Sequence, residues 1–400
     1  MPSDATLEYG ERTMRALLGT DALYRAESGD PVGLAVLNMD TAGAYGPEPF
    51  GTYRDAGACF ETLRDDAGRL PEPDRRLYYD QLCHSTLAFI AWRQRGLSFE
   101  EQLGDFLHVP AAPAVEHELA AVGSELHVLL DELGYSGDLA AQCAAWEARH
   151  RVPPDEVGAV LSALMDEAWD RTETHLVNIP APRTDAMAVE TVSGVPFNAR
   201  CNYAIRKVEI NVDPVLTRPA LKHLAVHEGC PGHYVQFKLR ETMAGSGEAA
   251  PDVLLSVVNS ASSCVFEGIA DCGIGMIDWE DDDDRVQSLL GRHRAGIGTG
   301  AAWRLHALGW DEEDAADWLA SESLVGGDGW VRNRMAFIAA PERAVLIWSY
   351  WWGERAVAPA WDSIRTGERA DFVRFLYGRM HSTSTVSMFG TLRGESPRRG

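Results

Sequence analysis

His227-Glu228-Gly229-Cys230-Pro231-Gly232-His233 places two imidazoles and a carboxylate within one short stretch of an otherwise apolar helical pattern. Neutral imidazoles hold a zinc ion, and a carboxylate beside them can take a proton from water. In the H-E-x-x-H arrangement the i, i+4 spacing puts both histidines on one helix face. Here the second histidine comes two residues later, with Pro-Gly in between. On a straight helix, residues six apart are separated by ~120° around the axis and ~9 Å along it. Two nitrogens sharing one zinc lie roughly 3–4 Å apart. An unbroken helix therefore cannot use the pair. Pro231 has no N–H for the carbonyl of His227, and its ring clashes with that carbonyl. Gly232 lets the backbone take an unusual path. The stretch predicts a helix with a kink or an inserted turn that carries His233 back under His227. Two other readings stand beside this one: the histidines are unrelated helix residues, or His223 and His227, at i, i+4, form a metal pair without any kink.

Downstream, Cys264-Val265-Phe266-Glu267-Gly268-Ile269-Ala270-Asp271 offers a carboxylate on a second helical stretch and an acid one turn later. In a His-His-Glu zinc site the third ligand comes from such a helix. Asp271, four residues after Glu267, shares its face and can accept the distal N–H of a ligand imidazole. The alternative is a solvated helix edge, but the neighbours Val265, Phe266, Ile269 and Ala270 are apolar. Acids in that setting are costly unless paired. The expected metal ligands are thus His227, His233 and Glu267 around one Zn²⁺, with Asp271 behind them and Glu228 as general base.

H-E-x-x-P-G-H followed by F-E-G resembles the bacterial domain-of-unknown-function 885 family, regarded as gluzincin-type, zinc-peptidase-like proteins. Val208-Glu209-Ile210-Asn211 resembles that family's strand ending in Asn ahead of the metal helix, and Gln236 stands where the family has Gln. Leu305-His306-Ala307-Leu308-Gly309-Trp310 resembles its H-x-x-G-W segment, and Tyr350-Trp351-Trp352-Gly353 its late Y-x-x-G. The resemblance spans residues 180–389. The family's P-G-Q before the tyrosine is replaced by Pro341-Glu342-Arg343, farther upstream and without the Gln. It implies a mainly α fold, a large helical metallopeptidase-like body with a small β-sheet beside the metal helix. It also implies a peptide or small amide as substrate, with Tyr350 first among donors to the developing oxyanion. His381, polar amid an apolar stretch, is the second candidate and His306 the third. Asn211, His306 and Arg343 are the expected substrate-binding residues, and Arg206 is a further arginine able to meet a carboxylate. A different metal-dependent reaction on a specialised small molecule, or a metal-free binding protein, are the alternatives.

A 400-residue chain with 46% hydrophobic residues can bury a large core, and a net charge of −24 disfavours nucleic acid or an anionic membrane as partner. The acid run at 280–284 lacks the spacing of a calcium loop and reads as a solvated loop. Seven scattered cysteines without a CxxC suggest free thiols. Together with a start that has no basic and apolar signal run, they predict a cytoplasmic protein. Cys230 is expected to pack rather than ligate. No stretch reaches the apolar length of a membrane span, and oligomeric state is left open.

Helical periodicity covers residues 71–95, 114–133, 138–150 and 154–175. Residues 1–175 are expected to form a helical region and 176–392 the metal-binding region, with 393–400 as a loose tail. Between 176 and 214, β-prone pieces at 187–192 and 201–212 are punctuated by Pro and Gly. The stretch 208–212 reads either as an edge strand able to pair with an extended peptide or as an ordinary hairpin.

Overall fold

The computed structural model describes residues 1–29, 33–195 and 197–392; the expected tail at 393–400 lies outside the described residues. The fold is mainly α with two small sheets. In chain order the helices begin with α1 (Asp4–Ser28), α2 (Tyr53–Ala67), α3 (Pro73–Arg95), α4 (Phe99–Leu107), α5 (Glu116–Glu132), α6 (Leu139–His150) and α7 (Val157–His175). They continue with α8 (Arg218–Leu224), α9 (His233–Gly245), α10 (Ser263–Asp271), α11 (Gly273–Met276) and α12 (Asp282–His306). The last are α13 (Glu312–Glu322), α14 (Gly327–Ala339), α15 (Ile347–Asp362), α16 (Arg369–Tyr377) and α17 (Phe389–Leu392). The strands are β1 (Ala35–Asn38), β2 (Ala188–Val192), β3 (Ala199–Asn202), β4 (Lys207–Asn211) and β5 (Leu255–Val257).

The chain forms two compact units, each assembled from separate segments rather than from one contiguous half. One comprises Met1–Ala111, Gln236–Gly268 and Arg355–Gly400; the other comprises Ala112–Val235 and Ile269–Glu354. In the first, the Tyr9 hydroxyl donates to the carbonyl of Leu63 at 2.7 Å, tying α1 to α2, while its ring meets Tyr79 of α3 at 4.6 Å. β1 and β5 pair antiparallel in this unit. In the second, Leu126, Leu130, Cys143, Trp146, Leu289 and Leu290 form one buried cluster of α5, α6 and α12. Burying an aliphatic side chain of this kind is worth about 1.5–3 kcal/mol.

Of the two readings of residues 208–212 the hairpin holds, because β4 pairs antiparallel with β3, and the edge strand does not: β4 lies in the middle of its sheet, with β2 parallel to it on the other side. Both rows of its backbone hydrogen-bonding groups are committed, so it offers no edge to an extended peptide. The acid run is not a loop either. Asp281 caps α12 by accepting from the Asp284 N–H at 3.0 Å, and Asp284 returns the bond to the Asp281 N–H at 2.9 Å. Asp284 also takes the ammonium of Lys222, whose nitrogen lies 4.7 Å from the centre of the Trp279 ring, fastening α8 to the start of α12.

Candidate metal centre

The residues around the motif build a helix that changes pitch where the spacing requires it. α8 starts at Thr217, whose hydroxyl accepts from the Ala220 N–H at 3.2 Å, with Pro219 in the first turn. From Ala225 to Gly229 the backbone widens into a single π-helical turn, and Cys230 leaves it in an extended conformation. The Cys230–Pro231 peptide is cis. The Gly232 N–H then reaches back to the carbonyl of Val226 at 3.0 Å, and α9 starts at His233. The inserted turn expected from the spacing is therefore present, as a π turn closed by a backbone bond. Gly232 is compulsory: a Cβ there would lie 1.9 Å from the His227 carbonyl oxygen and 2.5 Å from that of Val226.

This path brings the imidazoles of His227 and His233 to a ring separation of 4.6 Å at 79°. α10 contributes Glu267. One ligand atom each from His227, His233 and Glu267 lie within 4.8 Å of one another, and all three residues are buried. The roughly 3–4 Å between ligand atoms in a tetrahedral zinc site falls inside that limit. Two borderline nitrogens and one hard oxygen suit zinc, so the donor set fits the ion. Gln236, fully buried on α9, donates to the carbonyl of Phe266 at 3.0 Å, which sets α10 one residue before Glu267.

Behind these three residues stands Asp271. Its Oδ1 lies 2.8 Å from His227 Nδ1 and 3.4 Å from His223 Nε2. Burial alone would raise this carboxyl, but the charge of His227 and hydrogen bonds from His223 and His227 hold it well below the usual carboxylate range. In the neutral form of His227, with Nδ1–H donating to Asp271, the lone pair of the imidazole resides on Nε2. His223, His227 and Asp271 also form a second grouping with metal-ligand spacing. In it Asp271 is already shared by two imidazoles, so His223 acts more naturally as a second donor fixing the carboxylate. That role was not visible in the sequence, where His223 stood out only as an alternative ligand.

Glu228 follows His227 directly and is buried. Nearby Cys201 on β3 has its thiol pushed well above its ordinary value, by burial first and then by the charge of Glu228. Cys230 is buried, and burial raises its thiol as well, so it packs as a neutral group; among the described residues neither metal-type grouping contains a cysteine.

The remaining sequence candidates have other occupations. Asn211 is fully buried, and its amide donates to the carbonyls of Val195 at 3.2 Å and Phe197 at 3.0 Å. Its Oδ1 accepts from the Asp213 N–H at 3.0 Å, so the side chain is spent on tying the loop between β2 and β3 to the turn after β4 and is unsuited to binding substrate. His381 Nε2 meets the Phe375 carbonyl at 2.8 Å and Nδ1 meets the Thr385 hydroxyl at 3.4 Å. With both nitrogens engaged and only 2% exposure, it is a structural histidine rather than an oxyanion donor. His306 Nε2 lies 2.6 Å from the Ile338 carbonyl, linking the end of α12 to α14. Arg206 pairs with Asp185 at 3.0 Å and stacks on Tyr203. Arg343 is exposed. Tyr350, on α15, has the Arg334 guanidinium 5.7 Å from its ring centre.

No family model matches the chain, and no curated protein matches it. Two solved structures share its fold. One is described as a "putative lipoprotein" from Colwellia psychrerythraea: TM-score 0.53 and 15% identity, over 86% of this chain and 68% of that one. The other is a "putative lipoprotein of unknown function" from Shewanella oneidensis: TM-score 0.51 and 12% identity, over 85% of this chain and 71% of that one. At such identities the likeness is one of fold. The expected cytoplasmic placement is overturned by these neighbours, both of which are described as putative lipoproteins. Free thiols and a plain first dozen residues do not fix a compartment. Among the described residues no helix is long and apolar enough to cross a membrane.

Proposed function

We propose that this protein is a zinc-dependent hydrolase that cleaves a peptide or small amide bond, and that it is a relative of the domain-of-unknown-function 885 proteins it resembles. The observation that carries the reading is the convergence of three buried ligand-type side chains, with a carboxylate seated behind one of them. His227, His233 and Glu267 would hold the zinc. When bound, the ion supplies a Lewis acid that polarises a carbonyl and makes water a competent nucleophile near neutral pH.

The chain's own residues do the rest. Asp271 accepts the Nδ1 proton of His227, which fixes the tautomer and makes Nε2 the more basic donor. His223 braces Asp271 from the other side. Glu228 takes a proton from the attacking water and delivers it to the leaving nitrogen. Its burial keeps that proton from exchanging with bulk solvent between the two steps. Tyr350 is the proposed donor to the oxygen that gains charge, a role resting on the family resemblance.

The test is Glu228→Gln, which preserves shape but removes the base. Zinc content should stay at the wild-type level while hydrolysis of a panel of small peptides and acyl amides falls by ~10²–10⁴. Wild-type turnover in Glu228→Gln would remove Glu228 from the mechanism. Absence of zinc-dependent hydrolysis across the panel would remove the hydrolase reading itself.

A further inference from the structure

Away from these three residues, α12 and α14 bring together two arginines to which, among the described residues, no acid is bonded. The guanidinium of Arg294 sits 5.1 Å from the centre of the Trp330 ring, and that of Arg334 sits 5.7 Å from the same ring. Arg334 also lies 5.7 Å from the rings of Phe337 and Tyr350. The sequence permits this closeness at one glycine. Gly326, at φ +95°, lies so close to Arg294 that a Cβ would fall 2.3 Å from its Nη2.

Stacking on aromatic faces satisfies only the face of a guanidinium. Its N–H groups lie in the plane and need acceptors. Among the described residues neither arginine has an ion pair or a hydrogen bond, and the Nε of each is buried without a partner. The nearest acid, Glu147, is hydrogen-bonded to the Gly326 N–H at 2.6 Å. Arg294 is pushed down to about 10, mainly by burial, with Glu147 opposing and Arg334 adding to the shift. Arg334 is lowered too, by burial, with Tyr350 opposing. Two desolvated like charges side by side are unfavourable unless an anion joins them. The pair also belongs to the unit that carries the π turn. Asn333, next to Arg334, meets Asn198 at 3.4 Å just before β3, the strand that carries Cys201 beside Glu228.

We infer that Arg294 and Arg334 bind the carboxylate of a small ligand whose flat, apolar portion lies against the half-buried rings of Phe337 and Tyr350, with the buried Trp330 holding the two guanidinium groups in place. Planar, bidentate recognition is what an arginine fork offers a carboxylate, and the aromatic walls suit an unsaturated or aryl neighbour. Arg343, the arginine singled out in the sequence, is exposed and has no such enclosure. Assigning this carboxylate to a substrate rests on the hydrolase reading; the binding itself does not.

The experiment measures binding to the full-length protein by calorimetry and thermal shift at constant ionic strength, with phenylacetate, neutral phenylacetamide and inorganic phosphate as probes. Saturable binding of phenylacetate, with a Kd in the millimolar range or tighter, is expected, with phenylacetamide at least tenfold weaker. Arg334→Gln should weaken phenylacetate binding tenfold or more. Arg334→Lys, which keeps the charge but loses the fork, should also weaken it and serves if the glutamine variant does not fold. Equal binding of phenylacetamide, binding of phosphate alone, or unchanged affinity in these variants would overturn the assignment. Because no turnover is read, these outcomes are independent of whether the protein hydrolyses amides.

Discussion

Gly232→Ala is the substitution that most sharply probes how the odd histidine spacing is accommodated. The added Cβ would sit 1.9 Å from the His227 carbonyl oxygen, 2.5 Å from that of Val226 and 2.6 Å from the His227 carbonyl carbon. Real Cβ contacts stay above 3.0 Å, and all three obstacles are backbone, so no rotamer change relieves them. The turn must open by about an ångström. Overpacking of this kind costs about 1–3 kcal/mol, and loss of the Gly232–Val226 backbone bond adds about 0.5–1.5 kcal/mol. A total near 3 kcal/mol is expected, read as a lower urea midpoint at an unchanged slope. His233 starts α9 from the residue that has moved, so zinc affinity should fall by at least ~10-fold, as it does when ligand-orienting groups are disturbed. Gly291→Ala is the control. It lies in α12, where an added Cβ would meet nothing within 4 Å, and should stabilise by about 0.5–1 kcal/mol. Stability within about 0.5 kcal/mol of wild type and unchanged zinc affinity in Gly232→Ala would refute the argument that the tight turn shapes the site.

Three further outcomes follow from particular contacts. Asp271→Asn should lower zinc affinity by ~10–100-fold in a competition titration, because it removes the acceptor that fixes the His227 tautomer; unchanged affinity would make Asp271 a bystander. Asn211→Ala removes three part-buried hydrogen bonds of a buried side chain and should cost about 2–4 kcal/mol in urea unfolding, while a substrate-binding role would instead show as a higher KM at full stability. Asp252 is raised to about 6 by burial, which the Tyr79 hydroxyl at 2.8 Å only partly offsets. Its folded pKa exceeds the unfolded one, so its contribution is fully present below about pH 4 and is lost as pH rises through about 6. Asp252→Asn should therefore gain up to about 3 kcal/mol over wild type at pH 8 but little at pH 4; an equal effect at both values would contradict this.

Much of the helical framework was legible because periodicity and caps are local. The stretches at 71–95, 138–150 and 154–175 match α3, α6 and α7 to within a few residues. The break in the helix between α8 and α9 was legible too, since Pro231 and Gly232 forbid a continuous one. What failed depended on partners distant in sequence. The hairpin of β3 with β4 was legible as one of two readings, but nothing in residues 208–212 announces that β2 will pair on the other side of β4. Asn211 and His381 looked functional because they are polar among apolar neighbours, yet that is also how a buried side chain looks when distant carbonyls satisfy it. The acid run read as a loop because the lysine that neutralises Asp284 comes from α8. Arg294 and Arg334 carried no local signal, and only the packing of α12 against α14 sets them apart from the other arginines.

The central claim is the identity of the metal ligands, and zinc titration of the full-length protein by calorimetry, with variants of both histidine groupings, tests it directly. The account predicts one zinc per chain in the wild type, loss of that binding in His233→Ala and Glu267→Gln, and only a modest weakening in His223→Ala. Absence of zinc binding, or binding that survives in His233→Ala and Glu267→Gln but vanishes in His223→Ala, would contradict it and move the metal to the His223, His227 and Asp271 grouping or out of the protein altogether.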